Sequence, residues 1–168
     1  KIPIHEYTKY FDTVYCSLWK YFGAPWGAIL AGDSKLISNM FHTRRMFGGS
    51  IPNSSLNAAL ILSNLEGFED KMNDSYDKGI QLFTELNNSE KFNILIRDNH
   101  SNVFEMEYKS ADDYTKLRNH LISNNIFLPD LNAENYGIIN NANYVDIRIN
   151  ISLLNKPNKE IYNAFVGA

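Results

Sequence analysis

The chain has 168 residues, of which 44% are hydrophobic and 21% are charged, proportions that are ordinary for a globular protein. Its net charge is −3 and it has no basic block, which argues against nucleic-acid binding because clustered lysine and arginine are needed to neutralise phosphates. A single cysteine excludes an internal disulfide, four scattered histidines lack the spacing of zinc ligands, and no apolar run is long enough to cross a bilayer, so we expect a cytoplasmic protein without a metal site.

The first half of the chain predicts the end of a parallel α/β domain. Residues 11–17 predict a strand because β-branched and aromatic residues predominate there. Residues 18–27 predict a loop, punctuated by glycine and proline. An unbroken apolar strand is predicted at 27–32, as expected when both faces of a strand are buried. Three helices are predicted to follow, at residues 34–46 (capped by Asp33 or Ser34), 55–68 and 75–86.

The second half predicts an α+β domain with a mainly antiparallel sheet. A helix from Ser110 to Ser123 begins at a sequence that resembles a capping box. Asn155 is predicted to cap a last helix, with Pro157 in its first turn. The predicted strands are residues 92–96, 103–108, 136–139 and 144–151.

We expect this sequence to be a partial chain with two domains. It starts at Lys1 without methionine, and residues 1–74 supply only two strands of a sheet that would normally be covered on both faces. Residues 1–74 are therefore expected to be the incomplete end of a larger domain, and residues 75–168 to form a closed small domain. If so, Ile29, Leu30 and the first helices should be unusually exposed for apolar residues.

Lys20 is the candidate reactive residue. It lies in the loop between the first two predicted strands, next to the aromatic residues Trp19, Tyr21 and Phe22. Partial desolvation in such a place would disfavour the ammonium form and leave a nucleophilic amine. The alternative is an exposed loop lysine whose stem covers the aromatic rings. Spacing alone favours this alternative, whereas the surrounding motif favours a reactive lysine.

Three motifs together resemble the threonine aldolase and β-eliminating lyase family. Residues 17–28 (SLWKYFGAPWGA) resemble the family's segment whose lysine holds pyridoxal 5′-phosphate (PLP). Residues 44–49 (RRMFGG) are similar to its basic pair and glycine-rich turn, and residues 145–150 (VDIRIN) to the late strand that carries a substrate-carboxylate arginine. The motifs occur in family order, and the resemblance, to the carboxy-terminal half, spans nearly the whole chain.

The resemblance implies a fold and an activity. The fold would be α/β, with the end of a PLP fold-type-I large domain followed by an α+β small domain with a mainly antiparallel sheet. The activity would be that of a PLP-dependent lyase that cleaves a carbon–carbon bond, or eliminates a β-substituent, of a small amino acid. A homodimer or homotetramer is also implied, because this family builds its sites across a subunit interface.

The resemblance also implies roles for single residues. Lys20 would attach PLP in a cleft between the two domains and move the Cα proton, with PLP as the electron sink. Arg148, which strand alternation places on the face opposite Val145 and Ile147, would clamp the substrate α-carboxylate. The alternative is an edge-strand arginine that faces water. Arg45 would lie near the cofactor phosphate of the neighbouring subunit, and its alternative role is that of a helix-end arginine that interacts with the helix dipole.

The sequence departs from the family pattern at several positions, which leaves the substrate open. Pro52 stands where an arginine usually reaches the phosphate, Asn150 and the residues after it stand where a histidine is common, and Tyr21 and Phe22 replace smaller residues. The aspartate that pairs with the pyridinium nitrogen belongs to earlier strands, so this chain alone is expected to be a poor catalyst. An aminotransferase or other fold-type-I enzyme stays open, as does a non-catalytic binding or assembly module.

Overall fold

The computed structural model describes residues 2–50, 52–98, 101–131 and 144–168. They form two compact units, Lys1–Phe68 and Glu69–Ala168. The division falls at the start of a long helix, earlier in the chain than the predicted boundary after residue 74.

The first unit contains a two-stranded hairpin. After a short helix, α1 (Ile4–Thr8), strand β1 (Thr13–Ser17) pairs with β2 (Ala28–Gly32). The pairing is antiparallel, which corrects the expectation of a parallel arrangement for these two strands. Parallel neighbours need a long crossover, usually a helix. Here a simple loop returns the chain, and Ser17 lies opposite Ala28.

Two short helices replace the single helix predicted at residues 34–46. Helix α2 (Ser34–Ile37) begins after Asp33, whose carboxylate accepts a backbone N–H of the first turn at 2.8 Å, so the predicted cap is confirmed. Helix α3 (Met40–Met46) follows. Asn39 separates them with φ −93° and ψ 2°. Asparagine has a low helix propensity, which favours a break at such a point.

Helix α4 (Ser54–Leu65) exposes most of its apolar side chains within this chain. Leu56 is 72% exposed and Leu62 is 68% exposed. In the hairpin, Ile29 is 52% exposed and Leu30 is 41% exposed. The predicted exposure of these apolar residues is therefore confirmed. At about 25 cal/mol per Å² of apolar surface, leaving them all in water costs several kcal/mol.

The second unit contains a three-stranded antiparallel sheet in the order β3-β4-β5. Its strands are β3 (Ile94–Leu95), β4 (Val103–Glu107) and β5 (Tyr144–Arg148). Strand β4 is central, with Val103 opposite Arg148 at one end of the β4–β5 pair. The antiparallel pairing predicted for the second half is confirmed.

In the described part of the second unit, helices precede, separate and follow these strands along the chain. They are α5 (Phe68–Asn88), α6 (Ala111–Ser123), a 3-10 helix (Ile151–Asn155) and α7 (Asn158–Val166). Helix α5 begins earlier than predicted, and the charges of Glu69 and Asp70 stabilise its first turn. Ser110 Oγ accepts the Asp113 N–H at 3.1 Å, which confirms the predicted cap of α6.

Apolar side chains of α5, α6, α7 and the three strands form the core of the second unit. Tyr114 is buried in it, and its hydroxyl donates to the Pro129 carbonyl at 2.6 Å. Burial raises the pKa of this phenol above its ordinary value. The core residues are Leu82, Phe83, Leu86, Ile94, Phe104, Met106, Tyr114, Leu121, Val145, Ile147, Ile149, Ile161, Ala164 and Phe165.

The end of the chain differs from the prediction. Asn155 ends the 3-10 helix, and α7 begins at Asn158 after Pro157, so the predicted Asn155 cap and the place of Pro157 in the first turn are wrong. Proline has a fixed φ that also suits the position just before a helix. Asn150 caps the 3-10 helix, because its side chain accepts a backbone N–H of that helix at 2.9 Å. The strand predicted at residues 136–139 lies outside the described residues.

Candidate functional site

The loop that carries Lys20 is closed at its base. It connects β1 to β2, and the Leu18 N–H donates to the Gly27 carbonyl at 3.0 Å. This bond continues the strand ladder by one step beyond the pair formed by Ser17 and Ala28. Lys20 therefore lies just after the carboxyl end of β1, as the sequence predicted.

An apolar cluster holds this loop against α4. The buried side chains of Leu18 and Phe22 pack with Ile61 of that helix. Phe22 also contacts Phe68, with the ring centroids 4.5 Å apart. Leu18 precedes Lys20 by two residues and Phe22 follows it by two, so the backbone on both sides of the lysine is fixed.

Two asparagines of α4 hydrogen-bond the loop backbone. Asn57 Nδ2 donates to the Trp26 carbonyl, and Asn64 Nδ2 donates to the Phe22 carbonyl at 2.8 Å. Asn57 is buried. Leaving a buried polar group without a partner costs about 1–3 kcal/mol, and the bond to Trp26 offsets this cost for Nδ2 of the amide.

Two glycines allow the loop to approach these asparagines. Gly23 has φ +63° and Gly27 has φ +127°, conformations that residues with a side chain rarely adopt. A Cβ on Gly23 would lie 3.0 Å from Asn64 Nδ2, and one on Gly27 would lie 3.1 Å from Asn57 Nδ2. The positive φ and the nearby amide therefore both favour glycine at each of these positions.

The Lys20 side chain is exposed within the first unit. Its Nζ lies 5.7 Å from the centroid of the Trp19 ring, a distance typical of a cation–π contact. The partial burial expected from the aromatic neighbours is not supplied by the described residues of this unit, because Phe22 packs into the apolar cluster instead. Ser17 Oγ and Asn57 Oδ1 are buried without a hydrogen-bond partner among the described residues. Such atoms usually have a partner, which can be water or a ligand.

Arg45 lies in the last turn of α3 and is exposed. The guanidinium carbons of Arg44 and Arg45 both lie 5.6 Å from the centroid of the Phe41 ring. The Gly49 N–H donates to the Arg44 carbonyl at 2.8 Å and helps to end the helix. A basic residue here interacts favourably with the helix dipole whether or not it also binds phosphate. The phosphate role of Arg45 stays a prediction.

Arg148 is the last residue of β5. Val145 and Ile147 are buried and Arg148 is exposed, which confirms the predicted alternation of faces. Arg148 belongs to the second unit, whereas Lys20 and Arg45 belong to the first. Neither unit by itself contains all three predicted site residues. The substrate role of Arg148 stays a prediction.

A hollow of about 200 Å³ in the second unit contains none of the predicted site residues. Its polar groups are already engaged, because Arg118 lies 3.6 Å from the Asp130 carboxylate and donates to the Leu128 carbonyl at 3.2 Å. It is lined by Ala111, Tyr114, Thr115, Arg118, Asp130 and Leu131.

The described residues contain neither a metal-binding cluster nor a membrane-spanning helix. In the described ranges of the chain, no group of three or more His, Cys, Asp or Glu side chains is arranged to hold a metal ion. None of the helices in those ranges has both the length and the apolar composition needed to cross a membrane. The free cysteine, Cys16, is exposed on β1.

Asn57 and Asn64 were not predicted to be functional residues from the sequence. A signal was present, because the two residues lie seven apart in an apolar helix with Ile61 between them, which places all three on one face. Asparagine is a poor helix former, and a buried amide needs a partner. An asparagine on the same face as a core residue therefore indicates a hydrogen bond to a neighbouring segment.

Comparison with known proteins identifies the family. The family model described as beta-eliminating lyase matches residues 1–109, which include the lysine loop and α4. The chain belongs to the beta-eliminating lyase family. The low-specificity L-threonine aldolase of Candida albicans is 33% identical over 81 residues, which cover 48% of this chain and 22% of that protein. The low-specificity L-threonine aldolase of Saccharomyces cerevisiae is 34% identical over 64 residues, which cover 38% of this chain and 16% of that protein.

Two solved structures share the fold. A protein from Exiguobacterium sp. 255-15, assigned as an aromatic amino acid beta-eliminating lyase/threonine aldolase, matches with a TM-score of 0.72 and 21% identity over 96% of this chain and 45% of its own. A protein from Listeria monocytogenes EGD-E, assigned as an L-allo-threonine aldolase, matches with a TM-score of 0.70 and 23% identity over 98% of this chain and 46% of its own. The chain thus spans less than half the length of either family structure.

Proposed function

We propose that this protein is a PLP-dependent lyase that acts on a small β-substituted amino acid, by carbon–carbon cleavage or by β-elimination. The observation that carries the proposal is Lys20 on a loop held at both sides against α4, within the span matched by the beta-eliminating lyase family. The named activity of the Candida and Saccharomyces relatives supports carbon–carbon cleavage. The family description supports elimination.

Lys20 is the residue proposed to attach PLP. Its exposed amine is accessible to an aldehyde, while Leu18 and Phe22 keep the backbone beside it fixed. The buried Ser17 Oγ, which lacks a partner among the described residues, is a polar atom that a bound group or an ordered water could satisfy. These features fit a covalently held cofactor. When bound, PLP supplies an electron sink for negative charge at the substrate Cα.

The other proposed roles belong to the two arginines and to the lysine amine. Arg148 would bind the substrate α-carboxylate, for which its planar guanidinium is suited. Arg45 would lie near the cofactor phosphate of a neighbouring subunit. The Lys20 amine would deliver or accept the proton at Cα. For a β-hydroxy amino acid, the Cα–Cβ bond breaks, the hydroxyl loses its proton, Cβ leaves as an aldehyde, and Cα gains a proton to give glycine.

The proposal includes a larger assembly than this chain. The exposed apolar side chains of β2 and α4 are those expected at a surface covered by another segment or subunit. A homodimer or homotetramer would provide such a cover. Residues 1–74 would then be the end of the PLP-binding domain and residues 75–168 a small α+β domain. The chain alone would be a poor catalyst.

The first test is covalent trapping of the cofactor. The full-length protein is incubated with PLP and reduced with borohydride, and its peptides are mapped by mass spectrometry. We expect the pyridoxyl group on Lys20 in large excess over Lys35, which is exposed on α2 and serves as the internal control. The Lys20→Ala variant should lose this product and the yellow colour of the protein. Equal modification of the two lysines in the wild type would contradict the proposal and favour a binding module.

The second test identifies the reaction. The cofactor-loaded protein is assayed with a panel of β-hydroxy and other β-substituted amino acids. Release of an aldehyde together with glycine would establish carbon–carbon cleavage, and release of ammonia with a keto acid would establish β-elimination. Turnover that requires a keto acid as amino-group acceptor would contradict the lyase proposal and establish an aminotransferase.

A further inference from the structure

We propose that Asn57 and Asn64 are positioning residues that set the placement of the Lys20 amine. The inference rests on the proposed function, because it concerns how Lys20 meets the cofactor. Neither asparagine is proposed to touch the cofactor or the substrate. They act on the lysine through the loop backbone.

The two hydrogen bonds from Asn57 and Asn64 satisfy carbonyl groups of the loop. Between its closed base and its tip the loop is irregular backbone, so a regular ladder does not satisfy its carbonyl groups and they depend on other donors. Asn64 supplies a donor to the carbonyl of Phe22, two residues after Lys20, and Asn57 supplies one to the carbonyl of Trp26. Together with the closed base, these bonds fix the whole segment that follows the lysine to a single helix face.

If packing were the only requirement at position 57, an apolar residue would suit it better than asparagine. The residue is buried beside Leu18 and Ile61, where Ile61 is already part of an apolar cluster. An amide there lowers helix propensity and requires a partner. The partner it has is the loop carbonyl of Trp26, and Gly27 next to it leaves the room that the amide needs. The amide at position 57 is thus explained by its hydrogen bond to the loop rather than by packing within α4.

The consequence is that Lys20 cannot shift along α4 without breaking these bonds. Leu18 and Phe22 hold the residues beside Lys20 against α4, but apolar contacts have no strict direction and do not by themselves set the orientation of the loop carbonyl groups. Hydrogen bonds are directional and weaken steeply when they are bent. The two asparagines therefore convert an apolar contact into a defined position for the lysine backbone, as a covalent cofactor bond to one side chain requires.

Asn64 is the better residue to change first, because it is exposed whereas Asn57 is buried. Asn64→Leu removes the donor, whereas Asn64→Gln keeps an amide donor on a longer side chain. Ser63→Ala, at a neighbouring exposed position of α4, is the matched control. For each full-length variant, PLP is trapped with borohydride over a range of pH, and the yield on Lys20 is divided by the yield on Lys35. The melting temperature is recorded as the measure of folding.

We expect Asn64→Leu to lower the Lys20 to Lys35 ratio between about twofold and about tenfold, the range that corresponds to the net value of one hydrogen bond. Asn64→Gln should restore much of the ratio, and Ser63→Ala should leave it unchanged. Asn57→Leu should act in the same direction. If Asn64→Leu does not fold, Asn64→Ala replaces it in the same comparison.

Two results would overturn the inference, and they have different meanings. A wild-type protein that traps PLP equally on both lysines would overturn the proposed function and this inference with it. A wild-type protein that is selective for Lys20, with Leu and Ala variants at position 64 that keep the full ratio and pH profile, would overturn the positioning role alone. A lower melting temperature with an unchanged ratio also counts against it, because the bond would then only stabilise the loop.

Discussion

Replacing Gly79 by alanine should destabilise the second unit by a clash at one defined place. Gly79 is buried in α5, and a Cβ built there would lie 2.2 Å from Ile149 Cδ1 and 2.7 Å from its Cγ1. Ile149 is itself 2% exposed and follows β5 directly. The Ile149 side chain has little room to move away from the new methyl group, because protein cores are close-packed.

Two effects of opposite sign decide the magnitude. Inserting a methyl group into a packed core typically costs 1–3 kcal/mol, and an overlap of this size belongs to the upper part of that range. Replacing glycine by alanine in a helix returns about 1 kcal/mol through helix propensity. We therefore expect Gly79→Ala to lower the free energy of unfolding by about 1–2 kcal/mol.

The assay is chemical denaturation followed by circular dichroism, on a double-mutant cycle with Ile149→Val. The valine lacks the Cδ1 atom that meets the new methyl group, and on its own it should cost about 1 kcal/mol. The double variant should then lose about 1 kcal/mol less unfolding free energy than the two single losses added together. Asp74→Ala, at an exposed position of α5, is the control and should change stability by less than about 0.5 kcal/mol. Additive effects of Gly79→Ala and Ile149→Val would refute the clash.

Three further predictions follow from single residues. The Tyr114 hydroxyl should contribute to the unfolding free energy below about pH 10 and lose that contribution as the pH rises further, because burial raises the pKa of Tyr114 and the unfolded state loses that proton first. The stability of Tyr114→Phe should therefore fall less steeply in this alkaline range than that of the wild type, and an equal slope would contradict the assignment. If the proposed function holds, Arg148→Lys in the full-length protein should weaken binding of an amino-acid substrate more than binding of PLP, and unchanged substrate affinity would rule out the carboxylate clamp. Gly23→Ala should lower the free energy of unfolding by about 1–2 kcal/mol through backbone strain, and by more through the contact with Asn64 Nδ2. The loss should exceed that of Gly48→Ala, because Gly48 shares the positive φ but has open space around the added methyl group. Equal losses would show that the contact with Asn64 does not contribute.

The secondary structure of the second half was largely predictable because its signals are local. In β5 the buried residues Val145 and Ile147 alternate with exposed Arg148, which is a period that the sequence displays directly. The Ser110 cap of α6 was likewise visible, since one side chain and one backbone N–H three residues later suffice to form it. The error at the last helix arose because Asn155 is a good cap by residue type. In the structure Asn155 is instead the last residue of the 3-10 helix, and Pro157 occupies the cap position of α7.

In the first half the sequence determined the place of Lys20 and the motif around it, and it predicted that apolar residues such as Ile29 would be exposed in this chain. The direction of pairing between β1 and β2 was decided only by the tertiary structure, because apolar runs look alike in parallel and antiparallel strands. The contacts of Asn57 and Asn64 with the lysine loop also needed the structure. They join residues 31 and 42 positions apart in the chain, and no local pattern specifies which distant carbonyl a side-chain amide will meet.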